Sequence, residues 1–139
     1  MNRMTRGERN NNPLNIRRTK SRWLGMRELV TDKDFCEFKT LPWGFRAAFK
    51  LLQIYYTKHK RCTLEQIITR WAPPSENNTS GYIQQVVKQT SLNPRQLLPH
   101  PLKVKSTWVD IVLAMAYVEC AKHFPRTVAE AGYDLSTSK

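Results

Sequence analysis

The sequence predicts a mainly α-helical (α+β) fold, with one helical domain over residues 1–139 and one small β-hairpin. Two observations lead to this prediction. Apolar residues recur at helical spacing after Pro42, whereas a short β-prone stretch precedes it. The chain has 139 residues, of which 40% are hydrophobic, and this is enough for one domain with one core.

The part of the chain before Pro42 shows no helical period. Residues 1–22 are polar and rich in Asn and Arg, which indicates a basic arm or loop. Leu29 and Val30 then precede the polar turn 31–34, and the β-prone run 35–38 follows it. Two such runs around a polar turn predict a β-hairpin within residues 26–41.

The part after Pro42 carries a series of helix signals. Apolar residues at i, i+3, i+4 and i+7 spacing predict a helix over about residues 43–58. The capping box Thr63-Leu64-Glu65-Gln66 begins a short helix, which Pro73-Pro74 ends. Four more helices are predicted: one after the cap residues 77–80, one from Asn93-Pro94 through Leu98, one from Thr107 to about Ala121, and a last one after Thr127.

The charge balance restricts the kinds of partner. The net charge is +12, and the basic residues are concentrated in residues 1–27, where Glu8 is the sole acidic residue. Such a field favours a polyanion, which means nucleic acid, an anionic membrane surface or the bacterial cell wall. Charge alone does not choose among these three.

Other classes of protein are disfavoured by the sequence. Cys36, Cys62 and Cys120 are odd in number and form no CxxC pair, so we expect reduced thiols, no metal site and no cofactor. No apolar run approaches the ~20 residues that span a bilayer. The start of the chain, residues 1–7, is polar and basic and is not a secretory signal peptide. We therefore expect synthesis in the cytoplasm and action at the cell wall only after delivery by another system.

The predicted helix 107–121 carries the first candidate for chemistry. Glu119 lies seven residues after Val112 and eight after Ile111, so it falls on nearly the same face as the apolar stripe. Burial raises the pKa of a carboxyl, and a carboxylic acid protonated near neutral pH is the general acid that glycosidic cleavage needs. The alternative is a Glu that reaches solvent or pairs with an Arg.

Two polar segments are candidates for substrate binding. The loop 70–82 combines aromatic rings with the amide and carboxylate groups of Glu76, Asn77, Asn78 and Tyr82, and sugars are bound by such groups. The alternative is a loop whose polar groups cap only the next helix.

Residues 6–17 are the other polar segment and include Asn12 and Asn15. Instead of binding substrate, these Asn side chains could hold irregular backbone in place through local hydrogen bonds. Glu8 is a weak rival acid there, because neighbouring Arg residues should lower its pKa.

Three segments resemble motifs of the lytic transglycosylase branch of the lysozyme superfamily. Residues 111–120 resemble that family's catalytic helix, an apolar run that ends in Glu-Ser, with Cys120 in place of the Ser. Residues 12–16 (Asn-Pro-Leu-Asn-Ile) resemble the Asn-Pro stretch that follows this helix in the family. Residues 74–86 resemble a late Glu-Thr-x-x-Tyr-Val-x-x-Val motif, with an insertion between Glu76 and Tyr82.

The order of these segments differs from the family's order. The family's Glu helix comes first, whereas here it comes last, so the resemblance implies a circular permutation that packs helix 107–121 where the family's first helix lies. Chain termini that are close together at the surface make such permutations tolerable.

The whole chain also resembles a group of small phage and mobile-element proteins, described as lysozyme-like or as virion-associated structural proteins. Residues 6–17, 23–25 and 70–79 match that group's pattern, which includes Arg-Gly-x-Arg-Asn-Asn-Asn-Pro-x-Asn-Ile-Arg. Glu8 and Ala121 depart from it.

These resemblances imply cleavage of peptidoglycan glycan strands by a lytic transglycosylase or muramidase. Glu119 would serve as the single general acid and base, and Glu76, Asn77 and Tyr82 would orient the sugar. Two alternatives stay open: a nucleic-acid-binding protein, favoured by the charge and by Trp23 and Trp43, and a catalytically inactive lysozyme-like structural subunit of a phage or secretion apparatus. The product type and the oligomeric state stay open as well.

Overall fold

The computed structural model describes residues 4–138 and confirms a mainly α-helical fold. Residues 1–3 of the predicted N-terminal arm lie outside the described residues. The helices of the described part are α1 (Arg6–Arg9), α2 (Leu41–Thr57), α3 (Leu64–Trp71), α4 (Thr79–Thr90), α5 (Lys105–Cys120) and α6 (Arg126–Thr137).

The helix boundaries follow local chemistry. The capping box of α3 is present as predicted, with Thr63 and Gln66 each accepting a hydrogen bond from the other's backbone N–H. Asn78 caps α4 through its side-chain oxygen, which accepts from the backbone N–H of Gly81 at 3.1 Å. Ala121 ends α5 in the left-handed conformation, at φ 52°.

The predicted β-hairpin of residues 26–41 is wrong. Two isolated antiparallel bridges join Arg17 to Phe35 and Met26 to Phe38, and no extended pair of strands forms there. The Glu37 carboxylate accepts hydrogen bonds from the backbone N–H groups of Thr31 and Asp32, at 2.9 and 2.8 Å. Backbone donors that are bound to a side chain cannot form a strand ladder, so residues 26–38 remain an irregular loop.

The predicted basic arm or loop of residues 1–22 is irregular over most of its described part, apart from the short helix α1. Thr5 and Glu8 form a capping box that begins α1. The following segment enters the protein interior, where Asn12 and Leu14 are fully buried.

The helix predicted from Asn93 through Leu98 is a turn instead. The backbone N–H of Leu98 donates to Cys62 O at 2.8 Å, and the N–H of Glu65 donates to Pro94 O at 3.0 Å. This pairing with the start of α3 uses backbone groups that a continuing helix would need.

The packing of α2, α5 and α6 places the site. The α2 and α6 helices lie close together because Gly132 has no side chain, and a Cβ at that position would overlap the Cβ of Phe45. The apolar stripe predicted on α5 is buried in the core, with Trp108 and Ile111 fully excluded from solvent. The earlier turns of α5 are therefore held in the close-packed core, and its last turn, which carries Glu119 at the end of the stripe, lies at the surface.

None of the helices between residues 4 and 138 has the length and apolar character needed to cross a bilayer. Over the same residues, the structure brings together no group of three or more His, Cys, Asp or Glu side chains suited to a metal ion.

Candidate active site

Glu119 lies at an open cleft of about 420 Å³. The cleft is formed by segments that are distant in sequence: the N-terminal segment, the loop before α2, α2 itself, the end of α3 with the following loop, and the last turn of α5. The residues that line it are Asn15, Ile16, Arg17, Phe35, Leu51, Tyr55, Trp71, Ala72, Pro73, Glu76, Asn77 and Glu119.

Both carboxylate oxygens of Glu119 accept a hydrogen bond from a neighbouring side chain. The Asn15 amide donates to Oε1 at 3.1 Å, and it also lies 3.3 Å from the backbone oxygen of Glu119. The Tyr82 hydroxyl donates to Oε2 at 3.0 Å. The two donors fix the plane of a half-buried carboxyl group at the cleft.

The surroundings of Glu119 favour its protonated form. Burial raises the pKa of the Glu119 carboxyl above its ordinary value, although the hydrogen-bonding groups of Asn15, Tyr82 and Trp71 act in the opposite direction. Burial, and then the nearby Glu119 carboxylate, raise the pKa of Tyr82 well above 10. Tyr82 is therefore a permanent hydrogen-bond donor near neutral pH, and Glu119 is the group that can exchange a proton.

Close packing brings Asn15 to Glu119. Asn15 adopts the left-handed conformation at φ 52°, and its backbone N–H donates to Asn12 O at 3.1 Å. The α1 helix crosses behind it at Gly7, where a Cβ would lie 2.5 Å from Cys120 Sγ and 2.8 Å from Asn15 Oδ1. A residue with a side chain at position 7 would displace the amide that holds Glu119.

Asn12, a predicted substrate-binding residue, lies outside the cleft. Its side chain is fully buried, donates to the backbone oxygens of Ile16 and Cys36 at 3.0 and 2.9 Å, and accepts from the N–H of Ile16 at 2.9 Å. Each polar atom of this amide is used within the protein, so the alternative role of holding irregular backbone fits Asn12.

The predicted binding loop 70–82 divides over two depressions. Glu76 and Asn77 are exposed and line the cleft beside Glu119. Asn78, the cap of α4, lies in a neighbouring depression of about 610 Å³, together with Tyr82 and Lys88. Asn77 lines both, so the two depressions are neighbours.

Several cleft residues were not predicted from the sequence. Tyr55 lies on α2, and its ring meets that of Trp71 edge to face, with the centroids 6.1 Å apart. Arg17 lies over the Phe35 ring, with its guanidinium carbon 5.0 Å from the ring centroid. No local signal marks these residues, since their helical or loop positions become a cleft wall only through tertiary packing.

Glu8, the rival acid, is held in its ionised form. Its pKa is lowered, first by the backbone N–H of Thr5 and then by Lys122, whose Nζ lies 3.0 Å from Oε2. The predicted direction agrees, but the cause is this cap and Lys122 rather than the neighbouring Arg residues. Glu8 does not line the cleft.

No model of a protein family matches this sequence. The chain is similar to Protein P5 of Pseudoalteromonas phage PM2, with 43% identity over 101 residues. The match covers 70% of this chain and 63% of Protein P5, so the chain spans less than two thirds of that relative's length.

Proposed function

We propose that this protein cleaves the glycan strands of peptidoglycan, with Glu119 as the single general acid and base. The observation that carries the proposal is the half-buried Glu119 carboxyl at an open cleft, with its pKa raised by burial and both oxygens held by Asn15 and Tyr82. A glycosidic oxygen is a poor leaving group unless an acid protonates it, and such an acid must keep its proton near neutral pH.

The cleft supplies groups for each step of this reaction. Glu119 donates its proton to the bridging oxygen between N-acetylmuramic acid and N-acetylglucosamine, and the bond breaks to leave an oxocarbenium-like muramic centre. Glu119, now ionised, removes a proton from the attacking hydroxyl, which is either the muramic C6 hydroxyl or a water molecule. Tyr55 and Trp71 are half-buried and line the cleft, where their rings can contact the apolar faces of sugars, and the Asn77 amide can form hydrogen bonds with sugar hydroxyls.

Glu76 bears on the choice between the two product types. It lines the same cleft as Glu119 but is exposed, and no described residue forms an ion pair with it. A second carboxylate is essential to a hydrolase of the two-carboxylate type and dispensable to a transglycosylase. We favour the transglycosylase, in which Glu76 orients the sugar.

The spatial arrangement also supports the resemblance found in the sequence. The Asn-Pro segment and the Glu helix lie 104 positions apart, measured from Asn15 to Glu119, yet their side chains are in contact. Cys120 Sγ donates to the backbone oxygen of Pro13 at 3.3 Å. A permuted form of the lytic transglycosylase order would require this contact.

A nucleic-acid-binding function is the second candidate, because the net charge of +12 favours any polyanion. Nucleic-acid binding gives no role to a half-buried carboxyl with a raised pKa at an open cleft. A catalytically inactive subunit is disfavoured by the same cleft, since an inactive site has no need to keep Glu119 accessible.

Digestion of purified peptidoglycan in ¹⁸O-labelled water separates these functions. The proposal expects 1,6-anhydro-muropeptides without label, whereas a muramidase would release reducing ends that carry one ¹⁸O atom. Labelled products that disappear in Glu76→Gln would show a two-carboxylate hydrolase. Strong, salt-sensitive binding to single-stranded DNA with no released muropeptide would favour the nucleic-acid candidate.

A further inference from the structure

A basic depression of about 370 Å³ adjoins the Glu119 cleft. It is lined by Tyr55, Arg61, Thr69, Arg70 and Pro73. Tyr55 and Pro73 also line the cleft, so a chain-like ligand bound at Glu119 can continue across these two residues into the depression.

Two arginines from different elements meet there. Arg61 follows the end of α2, and its backbone N–H donates to Tyr55 O at 2.9 Å, which fixes the start of its side chain. Arg70 lies in the last turn of α3, and its guanidinium carbon is 5.0 Å from the centroid of the Tyr55 ring. The Tyr55 ring thus separates the cleft from the basic depression and supports one of its cations.

Neither arginine is neutralised by the part of the chain that the structure describes. Arg6, Arg18 and Arg126 each form an ion pair with a carboxylate, whereas Arg61 and Arg70 form none within residues 4–138. No acidic side chain lines the depression. Two exposed guanidinium groups at one hollow are suited to bind a carboxylate of a ligand in two-pronged geometry.

We propose that Arg61 and Arg70 form a subsite for a carboxylate of the glycan strand, at a distance from the bond that Glu119 cleaves. This inference rests on the proposed function. The carboxylate belongs either to the muramic acid itself or to the peptide attached to it, and both sources present the same chemistry to a guanidinium. Binding at the subsite would hold the strand in register while its sugars lie across Tyr55 and Trp71.

The test measures binding of defined glycan strands to the full chain in a Glu119→Gln background, which prevents turnover. The double variant Arg61→Gln/Arg70→Gln is compared with Lys39→Gln/Lys103→Gln, which removes the same charge from exposed residues outside the depressions. The ligands are strands that carry peptides, strands stripped of peptides, and strands whose carboxyl groups are all amidated. A thermal unfolding curve of each variant establishes that it is folded.

The subsite predicts that the arginine variant binds peptide-bearing strands roughly tenfold more weakly than the lysine variant does, since two exposed charge contacts together contribute about 1.4 kcal/mol. Amidated strands should bind both variants equally. If the arginine variant also loses affinity for strands stripped of peptides, the carboxylate belongs to muramic acid. If it binds stripped strands as well as the lysine variant does, the carboxylate belongs to the peptide. Arg61→Lys/Arg70→Lys keeps the charge without the forked geometry and should fall between the two.

Equal affinities of the arginine and lysine variants for peptide-bearing strands would overturn the subsite, as would an equal loss with amidated strands. In either case wild-type cleavage would still stand. If the wild type releases no muropeptide and the Glu119→Gln protein binds no strand, both proposals fail together. Single-stranded DNA serves as a further ligand; if the arginine variant lost affinity for DNA alone, the arginines would bind phosphate groups and the subsite would be overturned.

Discussion

At the scale of the residue, Glu119 is defined by opposing influences. Burial raises the pKa of its carboxyl above the ordinary value. Asn15 and Tyr82 each hold one carboxylate oxygen, and both lower the pKa that burial raises. If Glu119 is the catalytic acid that we propose, the balance between these influences sets the pH range of its activity.

The Tyr82→Phe variant tests this balance. Loss of the hydroxyl removes a hydrogen bond that favours the ionised carboxylate, so the pKa of Glu119 should rise further. Glu119 then stays protonated to higher pH, and the basic limb of the kcat/KM profile should move to higher pH. A hydrogen bond of about 1 kcal/mol corresponds to a loss of roughly fivefold in kcat/KM. A pH profile of muropeptide release measures both effects; a limb that stays in place would show that Tyr82 does not act on Glu119.

At the scale of the element, the irregular loop 26–38 contributes Phe35 to the cleft and is organised around Glu37. This carboxylate is 1% exposed and lies 3.0 Å from Arg18 and 3.7 Å from Arg27. Burial opposes its ionisation, but the groups of Thr31, Asp32 and Arg18 outweigh burial and lower the pKa of Glu37 from 4.5 to about 2.

The Glu37→Gln variant should lower the free energy of unfolding by about 3 kcal/mol at pH 7, because it leaves the half-buried Arg18 guanidinium and two backbone N–H groups without their charged acceptor. A carboxylate whose pKa is lowered in the folded protein stabilises the fold at pH values above its ordinary pKa. This stabilisation is lost as the pH falls towards the pKa of the folded state. The difference from wild type should therefore shrink between about pH 4.5 and pH 2. Urea unfolding at several pH values measures it, with exposed Glu28→Gln as the matched control. Equal losses in the two variants would contradict the account.

The crossing of α1 and α5 gives a second prediction at this scale. A Gly7→Ala side chain would meet Cys120 Sγ, Asn12 O and Asn15 Oδ1 at 2.5 to 2.8 Å. Such overpacking costs about 1–3 kcal/mol, which exceeds the gain of about 1 kcal/mol in helix propensity. We expect lower stability in chemical unfolding and lower cleavage activity, since Asn15 is displaced. The double variant Gly7→Ala/Cys120→Ala removes the nearest atom and should recover part of the stability; no loss in the single variant would contradict the close approach.

The helices were more predictable from the sequence than the loops. The helices α2 to α5 follow from apolar period and caps, because those signals are local. The hairpin prediction was wrong because Phe35 and Cys36 pair with residues 16–17, and because the Glu37 carboxylate takes the backbone N–H groups of Thr31 and Asp32; no local pattern reveals either contact. The site divides in the same way: Glu119 and Tyr82 lie on recognisable helices, whereas Arg17 and Tyr55 enter the cleft through tertiary packing.

At the scale of the whole molecule, the charge of +12 should draw the protein to an anionic wall over distances set by salt. Raising the ionic strength from about 0.1 M to about 1 M shortens the Debye length from about 10 Å to about 3 Å. Co-sedimentation with purified peptidoglycan should therefore fall steeply over this range, for wild type and Glu119→Gln alike. Binding that is indifferent to salt would show that the charge serves another partner.

The role of Glu119 is tested by the release of muropeptides from purified peptidoglycan, measured by mass spectrometry for wild type, Glu119→Gln and the exposed control Glu28→Gln. We expect products from wild type and from Glu28→Gln, and none from Glu119→Gln. Products that persist in Glu119→Gln, or their absence from all three folded proteins, would show that Glu119 is not the acid of a wall-cleaving enzyme.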